Sequence, residues 1–170
     1  MADGRTHDGP VAARPGMPGG YGIAAGAVDV ERFPWSWAEE QLTSARNYWI
    51  ATTRDDGRPH AAPVWGLWLE GIVYFSTDPA SLKGRNIAAR PEIVVHLESG
   101  DDTVILEGTA RKVGDAATLA TFVDAYEAKY GFRVDTSNAN FGVYSLQPRV
   151  ALTWREQAFP DSATRWVFGT

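Results

Sequence analysis

Ser76 and Thr77 end the apolar run Ile72-Val73-Tyr74-Phe75 and lead through Asp78-Pro79-Ala80-Ser81 into Leu82-Lys83-Gly84-Arg85-Asn86-Ile87. Two hydroxyls, a helix start and two cations in so short a stretch are the ingredients of an anion site. The first turn of a helix leaves backbone N–H groups without intrahelical partners, and its dipole favours negative charge there. Hydroxyls add donors and Lys83 adds a mobile positive charge, so the chemistry on offer is phosphate binding. A strand running into a capped helix is also an ordinary junction, and plain scaffold is the competing account.

The elements around this stretch have to place it. Tyr48 to Thr53 has strand composition, and Arg54-Asp55-Asp56-Gly57-Arg58 reads as a turn whose glycine takes positive φ. The next strand, His60 to Leu69, is apolar at successive positions where a strand with one wet face would alternate. Both its faces are therefore expected to be covered, one by the core and the other by a ligand or a second subunit. Pro63 and Gly66 within it predict a bend or bulge. Glu70-Gly71 makes a tight return into 72–77.

A helix over 80–89, stopped by Pro91, precedes strands at 93–97 and 103–113, with Gly108 marking a bulge in the second. Upstream, Ser36 with Glu39 three residues on predicts a capped short helix ending by Arg46. Downstream, Asp115 caps a helix with Leu119, Phe122, Val123, Tyr126 and Tyr130 at spacings of three and four, and Gly131 closes it. Strands follow at 143–146 and 150–154 around Pro148, and at 165–168. Antiparallel strands with inserted helices predict a mainly β, α+β or small-barrel fold in one domain over 31–170. Residues 1–30, with seven Gly and three Pro and no period, read as a flexible tail.

Composition narrows the function classes. The 170 residues carry a net charge of −5 and a pI of about 5.2, which argues against nucleic acid or an anionic membrane as partner. The absence of Cys excludes disulfides and thiolate chemistry and points to a reducing cytoplasm. No apolar run has the length of a membrane span. Seven Trp exceed what one small core needs, so some are expected in a cofactor pocket or a subunit interface. His7, His60 and His96 lie far apart and support no metal site, and His96 with Glu98 reads as a pair on one strand face. Neither a Gly-x-Gly-x-x-Gly run nor a nucleophile elbow is present, and no residue is assigned a catalytic role.

Taken together, Tyr48-Trp49-Ile50-Ala51-Thr52, Asp56-Gly57-Arg58-Pro59-His60, Pro63-Val64-Trp65, Val73-Tyr74-Phe75-Ser76-Thr77, Lys83-Gly84-Arg85-Asn86-Ile87-Ala88 and Pro91 resemble, in order and spacing, the pyridoxamine 5′-phosphate oxidase-like split β-barrels. Among these the small flavin- or deazaflavin-dependent oxidoreductases are most similar. The resemblance covers 35–113 well and 114–170 loosely. It implies an FMN-binding-like split β-barrel, a homodimer, and an enzyme acting on a small organic substrate with bound deazaflavin F420 or, alternatively, FMN. Relatives that merely carry flavin, haem or bilin leave a non-catalytic alternative open. The ring would lie against Pro63-Val64-Trp65, with His60 in the cofactor-binding set. The phosphate would meet Ser76, Thr77, Lys83 and Asn86, with Arg85 beside them or turned to solvent. The basic C-terminal segment of true pyridoxamine phosphate oxidases is missing, Arg165 being an isolated candidate, so that activity is the less favoured one.

Overall fold

The computed structural model describes residues 9–17 and 33–169. Its centre is a closed antiparallel barrel of six strands: Asn47–Thr53 (β2), Pro59–Leu69 (β3), Ile72–Thr77 (β4), Glu92–His96 (β5), Asp102–Lys112 (β6) and Gly142–Arg155 (β7). Around the barrel the order is β4-β3-β2-β5-β6-β7, and β7 returns to β4. Closure depends on two long strands that change partners along their length. Pro59–Trp65 of β3 pairs with β2 and Gly66–Leu69 with β4. Gly142–Leu146 of β7 pairs with β4, while Val150–Thr153 pairs with Thr164–Val167 (β8). The short strand Val11–Ala13 (β1) adds to the far edge of β8.

Local chemistry accounts for the corners. Glu70 at φ 50° and Gly71 at φ 79° form the two-residue turn between β3 and β4, whose left-handed geometry matches strand twist. The register shifts between Glu107 and Gly108, which face Val150 and Pro148, leaving Arg149 as the extra residue of a bulge. A Cβ on Gly108 would lie 2.2 Å from the Gln147 carbonyl oxygen, so the bulge requires glycine there, as the sequence predicts.

Three helices complete the chain: Trp35–Ser44 (α1), Leu82–Ala89 (α2) and Ala116–Tyr130 (α3). Asp115 caps α3 by accepting from the Thr118 N–H at 2.8 Å, and Gly131 closes it at φ 68°. The barrel interior and α1 share one core, which includes Leu42, Tyr48, Ile50, Phe75, Val95 and Leu106. A second apolar cluster lies outside the barrel, where Phe122, Val123 and Tyr126 of α3 meet Leu67 and Val143.

Several expectations are corrected. The outer face of β3 from Trp65 to Leu69 is covered by α3 of the same chain, whereas the sequence pointed to a ligand or a second subunit. The β2–β3 ladder runs through Pro63, opposite Trp49, with no register shift; Gly66 marks the change of partner instead, with Tyr48 close against it. The segments around Pro148 are one continuous strand, because the bulge absorbs the proline. Helix α1 starts at Trp35 behind Pro34, with no side-chain cap, so Ser36 lies inside the first turn. Glu98 accepts from Asn47 Nδ2 at 3.1 Å, and His96 stacks on Trp49, so the expected His96–Glu98 pair does not form. Within the 1–30 segment read as a tail, Val11–Ala13 is the strand β1; residues 1–8 and 18–32 lie outside the described residues.

Candidate functional site

The junction between β4 and α2 is tightly built. The Asp78 carbonyl accepts from the Ser81 N–H at 3.0 Å, and Ser81 Oγ caps α2 by accepting from the Gly84 N–H at 3.1 Å. Thr77 Oγ1 lies 3.2 Å from Ser81 Oγ, and Arg85 Nη1 donates to the Ala80 carbonyl. Gly84 permits this packing, because a Cβ there would lie 2.5 Å from the Asp78 carbonyl oxygen. Part of the helix start is thus satisfied by the chain itself, and the anion-attracting groups are side chains rather than the Gly84 amide.

Ser76 is different. Its Oγ is enclosed and has no hydrogen-bond partner, which in a folded protein calls for an explanation. It lines a cavity of about 390 Å³ together with Lys83 of α2, Pro63, Val64 and Trp65 of β3, Asn47 of β2 and Tyr126 of α3. Two larger cavities, of about 540 and 650 Å³, lie at α3 with residues 133–136 and at the β7 bulge. Neither is lined by an enclosed, unpartnered polar side-chain atom among the described residues, so volume alone does not identify a site.

The cavity wall is aromatic and held from behind. Trp65 stacks on Tyr130 with ring centroids 4.7 Å apart and 1° between planes, and the Arg46 guanidinium lies over the indole at 5.4 Å. The Tyr130 hydroxyl accepts from the Gly66 N–H at 2.9 Å and lies 2.7 Å from the Gly66 carbonyl and 2.8 Å from that of Arg46, to either of which it donates. Lys129 Nζ adds a bond to the Gly66 carbonyl at 3.1 Å, and burial lowers the pKa of this amine. The last turn of α3 therefore satisfies the edge of β3 where its pairing with β2 ends. Burial, with a smaller contribution from Tyr130, pushes the Tyr126 phenol up to about 12.

Of the residues singled out from sequence, Pro63, Val64, Trp65, Ser76 and Lys83 come together around this cavity. Thr77, His60, Arg85 and Asn86 do not line it. Asn86 is buried and donates from Nδ2 to Thr52 Oγ1 at 2.9 Å, and His60 Nδ1 lies 3.4 Å from the same hydroxyl. Asn47 and Tyr126 are lining residues that the sequence reading missed. Tyr126 falls on the apolar face of a regular helix, and only the docking of α3 on β3 brings it to the cavity.

Ser76 Oγ and the Lys83 ammonium can both donate to an acceptor-rich group, and Trp65 offers an aromatic face. The donor set fits an anion carried on a planar ring system. No helix among the described residues is long and apolar enough to cross a membrane.

Residues 37–155 match the pyridoxamine 5′-phosphate oxidase family. Among solved structures, a conserved hypothetical protein of Mycobacterium tuberculosis is 21% identical with a TM-score of 0.64, covering 72% of this chain and 85% of its own. An F420 reductase is 20% identical at TM-score 0.56, covering 73% and 98%. General stress protein 26 of Bacillus anthracis is 21% identical at TM-score 0.56, covering 68% and 88%. At these identities the likeness is one of fold, the split barrel. No curated protein sequence matches the chain.

Proposed function

Because this chain belongs to the pyridoxamine 5′-phosphate oxidase family, whose members commonly bind flavins, we propose that it is an oxidoreductase. Its cofactor is deazaflavin F420, or FMN in second place, and its substrate is a small organic molecule. The observation that carries this reading is Ser76 Oγ, enclosed and unpartnered beside Lys83 in a cavity walled by Trp65. The barrel shared with an F420 reductase is consistent with the order of preference.

In this reading Ser76 and Lys83 hold the phosphate and Trp65 faces the ring. Thr77, Ser81 and Arg85 hold the junction in shape, and Asn86 ties α2 to the barrel through Thr52. The bound ring supplies the hydride chemistry, and the chain's own part is to bind, orient and shield it. Arg165, the isolated candidate for a second phosphate site, sits in β8 opposite Ala13 and Leu152 and does not line the cavity, which fits an activity other than pyridoxamine phosphate oxidation.

The proposal includes a homodimer. With α3 covering the far half of β3, the near half still exposes Ala61 and Pro63. Across the ladder Trp49, Ala51, Val94 and Ile105 share that face with His96 and Glu107, forming a largely apolar strip over four strands.

Titrating the purified protein with F420 and with FMN, followed by fluorescence, tests the reading. Binding and turnover of the reduced cofactor against a panel of substrates is the expected result. Binding without turnover would make the protein a carrier, and failure to bind either would end the proposal.

A further inference from the structure

We propose that Tyr126 is a binding residue of this cavity, its hydroxyl donating a hydrogen bond to an oxygen of the anionic group that Ser76 and Lys83 hold. The inference rests on the anion-site reading and adds to it a contact from α3, an element that reading does not use.

Tyr126 is 6% exposed, and its ring is fixed by aromatic neighbours: Phe122 at 5.0 Å, Tyr130 at 4.7 Å and Trp65 at 6.2 Å between centroids. Its hydroxyl makes no hydrogen bond among the described residues, although buried tyrosine hydroxyls ordinarily find a partner. One turn on, Tyr130 has its hydroxyl fully engaged with the backbone of Gly66. The contrast separates a tyrosine that holds the wall from one whose polar end is left for something else. Tyr126 lines the same cavity as Ser76 and Lys83.

The chemistry of that partner follows from the neighbouring groups. Ser76, Lys83 and Tyr126 come from three different elements and all can donate, and the Asn47 amide nitrogen is already given to Glu98. A tyrosine phenol is protonated through the neutral range in any case, and burial only raises its pKa further, so it serves as a donor there. A ligand end rich in acceptors and carrying negative charge, a phosphate ester, meets all three. Because packing fixes the ring before binding, little side-chain freedom is lost on contact.

The test compares each cofactor with its phosphate-free counterpart: FMN with riboflavin, and F420 with the deazaflavin riboside lacking its tail. Tyr126→Phe keeps the ring and removes only the hydroxyl. The expected result is an affinity for the phosphate-bearing form about 10-fold weaker than wild type, with the phosphate-free form unchanged. Unchanged affinity for the phosphate-bearing form, or an equal loss for both forms, would overturn the inference, as would a wild-type protein that binds none of the four. Tyr126→Leu, which removes the ring as well, provides a second reading of the same phosphate selectivity. Lys83→Ala in parallel separates the two layers. If Lys83→Ala weakens binding and Tyr126→Phe does not, the Tyr126 contact alone fails; if Lys83→Ala changes nothing, the anion site itself is lost, and the Tyr126 inference with it.

Discussion

Asn86 donates from Nδ2 to Thr52 Oγ1 at 2.9 Å, and both residues are buried, at 4% and 3% exposure. This bond ties α2 to β2 and thereby fixes the height at which Lys83 stands over the barrel wall. Asn86→Ala leaves the Thr52 hydroxyl without its donor and is expected to cost about 1–3 kcal/mol of stability. Chemical denaturation measures it. A double-mutant cycle with Thr52→Val should show coupling between the two positions; independent effects would mean that the bond does not hold the helix.

Lys83→Ala is expected to behave in the opposite way. It removes a charge-assisted contact to a bound phosphate, worth about 1.5–3 kcal/mol, from a side chain that makes no hydrogen bond or ion pair among the described residues. Cofactor affinity should fall about 10- to 150-fold while the melting temperature of the apo protein stays put. Higher salt should mimic part of the loss.

Gly84→Ala tests the packing of the junction. Inside a helix this exchange ordinarily stabilises by about 1 kcal/mol. Here the new methyl would meet the Asp78 and Pro79 carbonyl oxygens at 2.5 and 2.6 Å, so a net loss of about 1–3 kcal/mol is expected. A stabilised variant would show that α2 is free to move off the turn.

Alkaline pH should unfold the protein more readily than its carboxylates would suggest. Burial raises the phenol of Tyr126 to about 12 and that of Tyr48 further still. A group whose folded pKa is raised adds stability fully below its unfolded value, near 10, and loses it as pH climbs through the folded value. Stability should therefore decline from about pH 10 upward, and Tyr126→Phe should flatten that decline. Denaturant midpoints across this range, with tyrosinate absorbance alongside, measure both.

The largely apolar strip over β3, β2, β5 and β6 predicts a dimer by light scattering at micromolar concentration, and Ala61→Arg at its β3 end should shift the mass toward the 18.5 kDa chain. A wild-type monomer would contradict the assembly.

Much of this was legible in the sequence, and the reasons differ by element. The β-strands, the Gly108 bulge and the Asp115 cap follow from local rules, because a two-residue period, a glycine in a long strand and a capping aspartate carry their meaning within a few residues. Pro63-Val64-Trp65 stood out through the family resemblance in order and spacing, the Ser76–Lys83 stretch through its own hydroxyls and cations as well, and the fold brings Pro63, Val64, Trp65, Ser76 and Lys83 around one cavity. Local pattern was insufficient wherever two distant elements share one surface. The cover on β3 is α3, more than forty residues away in sequence. Asn86 entered the phosphate-binding set through the family resemblance, yet the helix turns its side chain inward to Thr52. Tyr126 looked like core: helical spacing groups it with Phe122, and nothing local says that its hydroxyl is left over.

The pairing of β1 with β8 sets how the chain responds to force. Val11 faces Val167 and Ala13 faces Arg165, so the outermost residues of the two strands lie at the same end of their ladder. A load applied through Val11 and Val167 therefore acts on one rung at a time instead of shearing all of them together. Pulling from these two points should peel β1 away in a small early step, with the closed barrel yielding in a separate and larger event.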